Sequence, residues 1–223
     1  MLKMNMRNIQ NYIEHTNLKA TLTSNDVELL IKEAQGHEIF GICVPPFWVK
    51  KAKRDIGTSN LQLVTVIGFP LGYQMSQTKE AEAIQALKDG ADELDMVLNI
   101  SAFKSEMMWP KIEIAKMSKL THEKGKILKI IIETAYLTNK EIAEACKICA
   151  DAGADFVKTS TGFASEGAKV EHVKLMRSVL PDHVGIKASG GIKSYAQAAE
   201  LIEAGADRIG TSSGPTICQE SSI

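Results

Sequence analysis

An excess of charge of either sign is missing. Lys and Arg number 26 against 27 Asp and Glu, for a formal net charge of −1. Such a balance gives no general attraction to nucleic acid or to an anionic membrane, so an anionic ligand must be held by a local site. Long apolar runs are missing too. No stretch approaches the ~20 apolar residues of a membrane span. The first fifteen residues, MLKMNMRNIQNYIEH, lack the apolar core of a secretory signal. Cysteine is sparse, with Cys43, Cys146, Cys149 and Cys218. Cys146 and Cys149 form a C-x-x-C, but in the middle of a helical pattern and with no second pair, which argues against zinc and redox use. These absences lead to the expectation of a cytoplasmic protein whose cysteines serve neither a metal nor redox chemistry.

The 223 residues, 44% of them hydrophobic, suffice for one good core. One domain over 1–223 is expected. Helical and strand patterns alternate from end to end. A short N-terminal helix over 6–12 leads into a weak first strand over 14–18. The first long helix covers 24–36, with Ser24 as N-cap and Val27, Leu30, Ile31 and Ala34 on one face. The next strands are FGICVPP, LQLVTVIGFP, DELDMVLNI, ILKIIIET, DFVKTST, VGIKASG and DRIGTS. Helices over 78–89, 110–124, 139–152, 170–180 and 195–204 alternate with them, besides one from Trp48 and a short one at the end. Short, nearly continuous apolar strands suit a buried parallel sheet. A weak repeat, Gly-Ala-Asp ending at Asp92, Asp155 and Asp207, stands where a helix stops and a strand starts. Eight units without a long reversing connection favour a closed (β/α)8 barrel over a doubly wound open sheet.

In a barrel the C-terminal strand ends build the site, so polar residues placed there carry the information. Lys158 lies in mid-strand within FVKTS, and Lys187 at the equivalent point of the next strand, within GIKAS. Adjacent strands are ~4.8 Å apart. If both lysines point inward, burial and like charge depress a lysine pKa, and one of the pair becomes a neutral nucleophile. The alternative is that one points outward and snorkels. Asp95, within ELDMV, is a costly isolated carboxylate unless it stands near those lysines, where it can also pass protons. A structural ion pair is the other use for it.

Two glycine-rich turns come after the last two strands: Ser189-Gly190-Gly191-Ile192-Lys193-Ser194 and Gly210-Thr211-Ser212-Ser213-Gly214. Barrel enzymes frequently bind phosphate with these loops and a helix N-terminus. Each turn alone is also ordinary turn chemistry. His15 and Thr16 are candidates for the mouth, Glu133 for the site and Cys43 for the pocket wall. Lys129 begins its strand and belongs at the barrel bottom. His122 and His183 belong on the surface.

Taken together, IEHTNLKA, GICVPP, VIGFPLG, ELDMVLNI, IIIET, FVKTSTGF, IKASGGIKS and RIGTSSG resemble the deoxyribose-phosphate aldolases, in order and over nearly the whole chain. That resemblance implies a metal-free (β/α)8 class I aldolase. Its reaction is the reversible cleavage of 2-deoxy-D-ribose 5-phosphate to D-glyceraldehyde 3-phosphate and acetaldehyde. It implies Lys158 as the Schiff-base lysine, Lys187 as the lysine that perturbs it and relays protons, and Asp95 as proton donor and acceptor. Substrate and phosphate contacts fall on Thr161, Gly162, Gly190, Gly191, Gly210, Ser212 and Ser213, and a homodimer is implied. The chain departs from the pattern in three places. Glu14 stands where I-D-H-T is usual, Phe163 where some members carry lysine, and a longer C-terminal tail is missing. Another Schiff-base barrel aldolase and a non-catalytic sugar-phosphate binder are the remaining readings.

Overall fold

The computed structural model describes residues 8–221. Eight parallel strands close in sequence order, with β1 (Ile13–Thr16) bonded to both β2 (Gly41–Val44) and β8 (Arg208–Thr211). Between them run β3 (Gln62–Ile67), β4 (Glu93–Val97), β5 (Ile127–Ile131), β6 (Phe156–Lys158) and β7 (Gly185–Ser189). A strand bonded on both sides at the start of the chain rules out the open sheet, and the fold is a (β/α)8 barrel. The outer layer holds α1 (Ser24–Gly36), α2 (Val49–Ile56), α3 (Ser76–Asp89), α4 (Ile100–Lys104), α5 (Trp109–His122), α6 (Asn139–Asp151), α7 (Val170–Val179), α8 (Tyr195–Glu203) and α9 (Gly214–Glu220).

Several boundaries differ from the sequence pattern. Residues 6 and 7 of the expected first helix lie outside the described residues, and its remainder is a 3-10 turn over Ile9–Tyr12. The cap of α1 is Thr23, not Ser24. Thr23 and Asp26 bond each other's backbone in a capping box, which satisfies two orphan donors where Ser24 would satisfy one. The fourth strand stops at Val97 rather than running to Ile100, because Asn99 caps the extra helix α4.

Alternation along each strand divides the apolar residues. Those facing the helices form the main core with the apolar faces of the outer layer. Inside the barrel a much smaller cluster, Cys43, Val64 and Val66, covers the β2–β3 side. Beside it the interior carries a cluster of charged side chains, and it is there that the site forms.

The Gly-Ala-Asp repeat closes the bottom of the barrel. Asp92, Asp155 and Asp207 each accept a backbone N–H from the preceding strand, at Leu63 (3.2 Å), Leu128 (2.8 Å) and Ile186 (2.8 Å). In each case the aspartate's own N–H returns a bond to the carbonyl of that same residue. The spacing recurs because the same two-bond clamp joins β3 to β4, β5 to β6 and β7 to β8. Among the described residues no helix is long and apolar enough to cross a membrane. Cys146 and Cys149 are buried in α6 as free thiols.

Candidate active site

Strand register brings the expected lysines together. Lys158 and Lys187 are direct partners across β6 and β7. Both point inward, and Asp95 stands between them. Its Oδ2 accepts from Lys187 Nζ at 2.7 Å and from Lys158 Nζ at 2.9 Å. The carboxylate therefore bridges the two amines, which are not left to repel each other alone.

The network is larger than the sequence pattern indicated. Lys129, two residues before the register partner of Lys158, is fully buried and donates to Asp95 Oδ1 at 2.9 Å. It also meets Glu93 Oε2 at 2.5 Å and Glu14 Oε1 at 3.5 Å. The other oxygen of Glu14 is in short contact with Lys187 Nζ. Three carboxylates and three amines thus fill one side of the barrel. Lys129 belongs to the lower barrel as its position in the strand suggests, but it is part of the charge cluster. Parity was the available signal: Lys129 pairs with Asp95 in register and shares its inward face.

The charges keep the proton on Lys187. Burial pulls Lys187 down, but Asp95 and Glu14 outweigh it and leave its pKa above the usual lysine value. Like-charge depression is therefore not what governs Lys187. Burial pushes Asp95 up, yet Lys129, Lys158 and Lys187 hold it well below the usual carboxylate range. Lys129 is raised by Asp95, Glu14 and Glu93 against its own burial. Cys43 is fully buried with Val64 and Val66, off the cavity lining where the sequence pattern put it, and its thiol is pushed up to about 11 by burial, so it is neutral.

A cavity of about 520 Å³ opens at the C-terminal ends of the strands. Of the six charged residues of the network only Lys158 lines it; Lys187 and Asp95 lie behind, fully buried. His15 and Thr16 from β1 form part of the wall, as the sequence pattern suggested. The two glycine-rich turns share the lining with Lys158. Gly190, Gly191, Gly210 and Ser212 line the cavity together with Lys193, and Thr161 and Gly162 do so from the loop after β6. Gly190 has to be glycine. Its φ is +88°, and an added Cβ would stand 3.0 Å from the Gly167 backbone. Ser213 is not on the lining; its N–H is taken by Thr211 Oγ1 at 2.9 Å.

Glu133 does not reach the cavity lining. It is buried at the end of β5 in a left-handed conformation, φ +50°. Its Oε2 accepts from Thr161 N–H at 3.1 Å and in short contact from the Thr161 hydroxyl, which ties the loop after β6 in place. Phe163 lines the outer wall and meets Phe69 edge-on, with centroids 5.1 Å apart. Among the described residues no cluster of His, Cys, Asp and Glu could hold a metal ion.

A closed parallel barrel that bares one lysine of a buried ion network to a cavity at its C-terminal mouth has the architecture of a lysine-dependent carbon–carbon lyase. The chain belongs to the DeoC/LacD family aldolases, whose family model matches residues 9–220. It is 50% identical over 219 residues to a deoxyribose-phosphate aldolase of Thermococcus kodakarensis, covering 97% of this chain and 98% of that one. A deoxyribose-phosphate aldolase of Caldicellulosiruptor saccharolyticus is 48% identical, with 97% and 100% covered. Among solved structures, an aldolase called QR15 superposes with a TM-score of 0.92 at 42% identity, covering 96% of each chain. A deoxyribose phosphate aldolase from Aeropyrum pernix, described as having a unique tetrameric structure, gives 0.88 at 33% identity, with 95% and 89% covered.

Proposed function

We propose that Lys158 is the Schiff-base lysine with which this aldolase reversibly cleaves 2-deoxy-D-ribose 5-phosphate to D-glyceraldehyde 3-phosphate and acetaldehyde. The observation that carries the assignment is access: Lys158 is the one amine of the interior network that lines the cavity. The near-complete match to deoxyribose-phosphate aldolases supports the substrate.

Neutral Lys158 Nζ adds to the aldehyde carbon of the open-chain sugar phosphate, and loss of water leaves an iminium. The iminium draws electrons as the C2–C3 bond breaks. Asp95, through a bound water, accepts the C3 hydroxyl proton, and glyceraldehyde 3-phosphate departs. A carboxylate held this far down keeps a proton only briefly, which suits a relay. The enamine takes a proton at C2, and hydrolysis of the resulting imine frees acetaldehyde and Lys158. Lys187, cationic beside both groups, supplies and recovers protons for the additions and losses of water. The phosphate is gripped at a distance from the breaking bond by Gly162, Gly190, Gly191, Gly210 and Ser212, with Thr161 on the wall beside them. Backbone N–H groups and hydroxyls serve as donors there. Ser213 contributes by shaping its turn. No metal or other cofactor enters any of these steps.

The whole of 1–223 acts as one catalytic domain, cytoplasmic and assembled as a homodimer. Exposed Tyr73, Met75, Met108 and Trp109 offer apolar area for the pairing. A coupled assay for aldehyde release tests the activity, run against the reverse reaction with acetaldehyde or dihydroxyacetone phosphate as donor. Turnover with acetaldehyde and not with dihydroxyacetone phosphate is expected. Lys158→Ala should lose on the order of 10⁴-fold or more in kcat. A preference for dihydroxyacetone phosphate, or an active Lys158→Ala, would remove the assignment.

A further inference from the structure

The interior holds more charge than the proposed steps use. Below the triangle of Lys158, Asp95 and Lys187 lies a second tier made of Glu14, Glu93 and Lys129, each at most 3% exposed. Glu14 touches both tiers. One oxygen grips Lys187 Nζ, and the other faces Lys129 Nζ at 3.5 Å. We propose that Glu14 is a positioning residue for the lysine chemistry: it pins Lys187 as the member of the pair that is cationic at rest and takes its proton back after each transfer, and so leaves Lys158 as the amine that reacts. This role rests on the aldolase reading above.

Lys158 and Lys187 share one oxygen of Asp95 at nearly equal distances, so Asp95 by itself does not distinguish them. Glu14 breaks the tie, since it contacts Lys187 and makes no ion pair with Lys158. The strand frame is open where Glu14 needs room. Its register neighbours on both sides, Gly41 and Gly210, lack side chains, and a Cβ on Gly210 would stand 3.1 Å from Lys187 Cε. The charge count points the same way. Three carboxylates, Glu14, Glu93 and Asp95, face three amines, Lys129, Lys158 and Lys187. When Lys158 gives up its proton to attack the carbonyl, two cations remain for three carboxylates, and their hold on the Lys187 proton tightens.

The groups around Lys187 come from every neighbouring side of the barrel: Glu14 from β1, Cys43 from β2, Glu93 and Asp95 from β4, Lys129 from β5, Lys158 from β6 and, as its register partner, Arg208 from β8, whose guanidinium lies over the Phe40 ring. Cys43 is neutral across the working range. Of the rest, Glu14 and Asp95 raise Lys187 and Lys129 lowers it. The signs of two substitutions are thereby opposite. Glu14→Gln keeps the shape and removes a negative charge, so Lys187 loses its proton at lower pH. Lys129→Met removes a positive charge, so Lys187 keeps its proton to higher pH.

The experiment is the pH profile of kcat/KM for cleavage of 2-deoxy-D-ribose 5-phosphate, with a melting curve for each variant. The basic limb should move down by about one unit or more in Glu14→Gln and move up in Lys129→Met. Glu14→Asp, which keeps the charge on a shorter stem, should restore most of the wild-type basic limb. A Glu14→Gln enzyme that loses activity equally at every pH, with the basic limb where it was, overturns the proposal. If Lys129→Met does not fold, the Glu14→Gln and Glu14→Asp pair decides alone. A failure of the underlying aldolase reading looks different: the wild-type chain itself would neither turn over the sugar phosphate nor form a borohydride-trapped adduct.

Discussion

Two places in this molecule bury a lysine completely. In the barrel, Lys187 stands among Asp95, Glu14, Lys129 and Lys158. In the seam between α3 and α5, Lys79 is just as buried and meets one carboxylate, Glu113 at 2.8 Å, and the Val97 carbonyl at 2.9 Å. Their pKa values move in opposite directions. Burial pulls Lys79 down and Glu113 offsets it only in part, whereas Asp95 and Glu14 lift Lys187 above its usual value. By depressed pKa alone, Lys79 is the better nucleophile. Yet it is not on the lining of the cavity at the barrel mouth, and both partners hold it as a tie between layers. Burial and a lowered pKa therefore do not make a reactive lysine. Access to a cavity, with the proton secured on a neighbour, separates Lys158 from both.

The sharpest way to break this comparison is to remove the shared carboxylate. Asp95→Asn leaves Lys129, Lys158 and Lys187 without their common carboxylate, and kcat should fall by about 10²–10⁴-fold. A near-normal kcat in a folded Asp95→Asn protein would show that bridging the amines is irrelevant. On the structural side, Lys79→Met strands Glu113 as an unpaired buried charge and should cost about 3–5 kcal/mol in denaturant unfolding. Its kcat/KM at a temperature where it is folded should match the wild type. The double change Lys79→Met with Glu113→Leu should recover much of that stability. A loss of turnover in the folded single variant would make Lys79 more than a tie. Smallest is the bottom clamp. Asp155→Ala leaves the Leu128 N–H without its carboxylate and should cost about 1–3 kcal/mol, with activity retained.

Much of the fold was legible because its signals are local. Helix faces such as Val27, Leu30, Ile31 and Ala34, and the repeated Gly-Ala-Asp, are written within a few residues of each other. The lysine pair was legible too, since a charged residue in an apolar strand is conspicuous and register makes Lys158 and Lys187 neighbours. The features that were not legible depend on several elements at once. Lys79 looks like any surface lysine in the first turns of a helix; only the packing of α3 on α5 buries it. Glu14 read as a departure from the usual aspartate, and its purpose emerges only when β1 closes against β8 and meets Lys187 from β7. Glu133 ends a strand like a site residue but turns to hold Thr161, a choice made by a left-handed backbone that sequence patterns do not reveal. Ser213 shares its turn with Ser212, yet only Ser212 faces the cavity.

Among these buried amines, one lysine is to form the imine. Incubating the protein with 2-deoxy-D-ribose 5-phosphate or acetaldehyde, reducing with borohydride and mapping the modified peptide by mass spectrometry tests this directly. A single reduced adduct on Lys158 is expected, with Lys187, Lys129 and Lys79 unmodified. An adduct on Lys187, or a native protein that forms none, would contradict it.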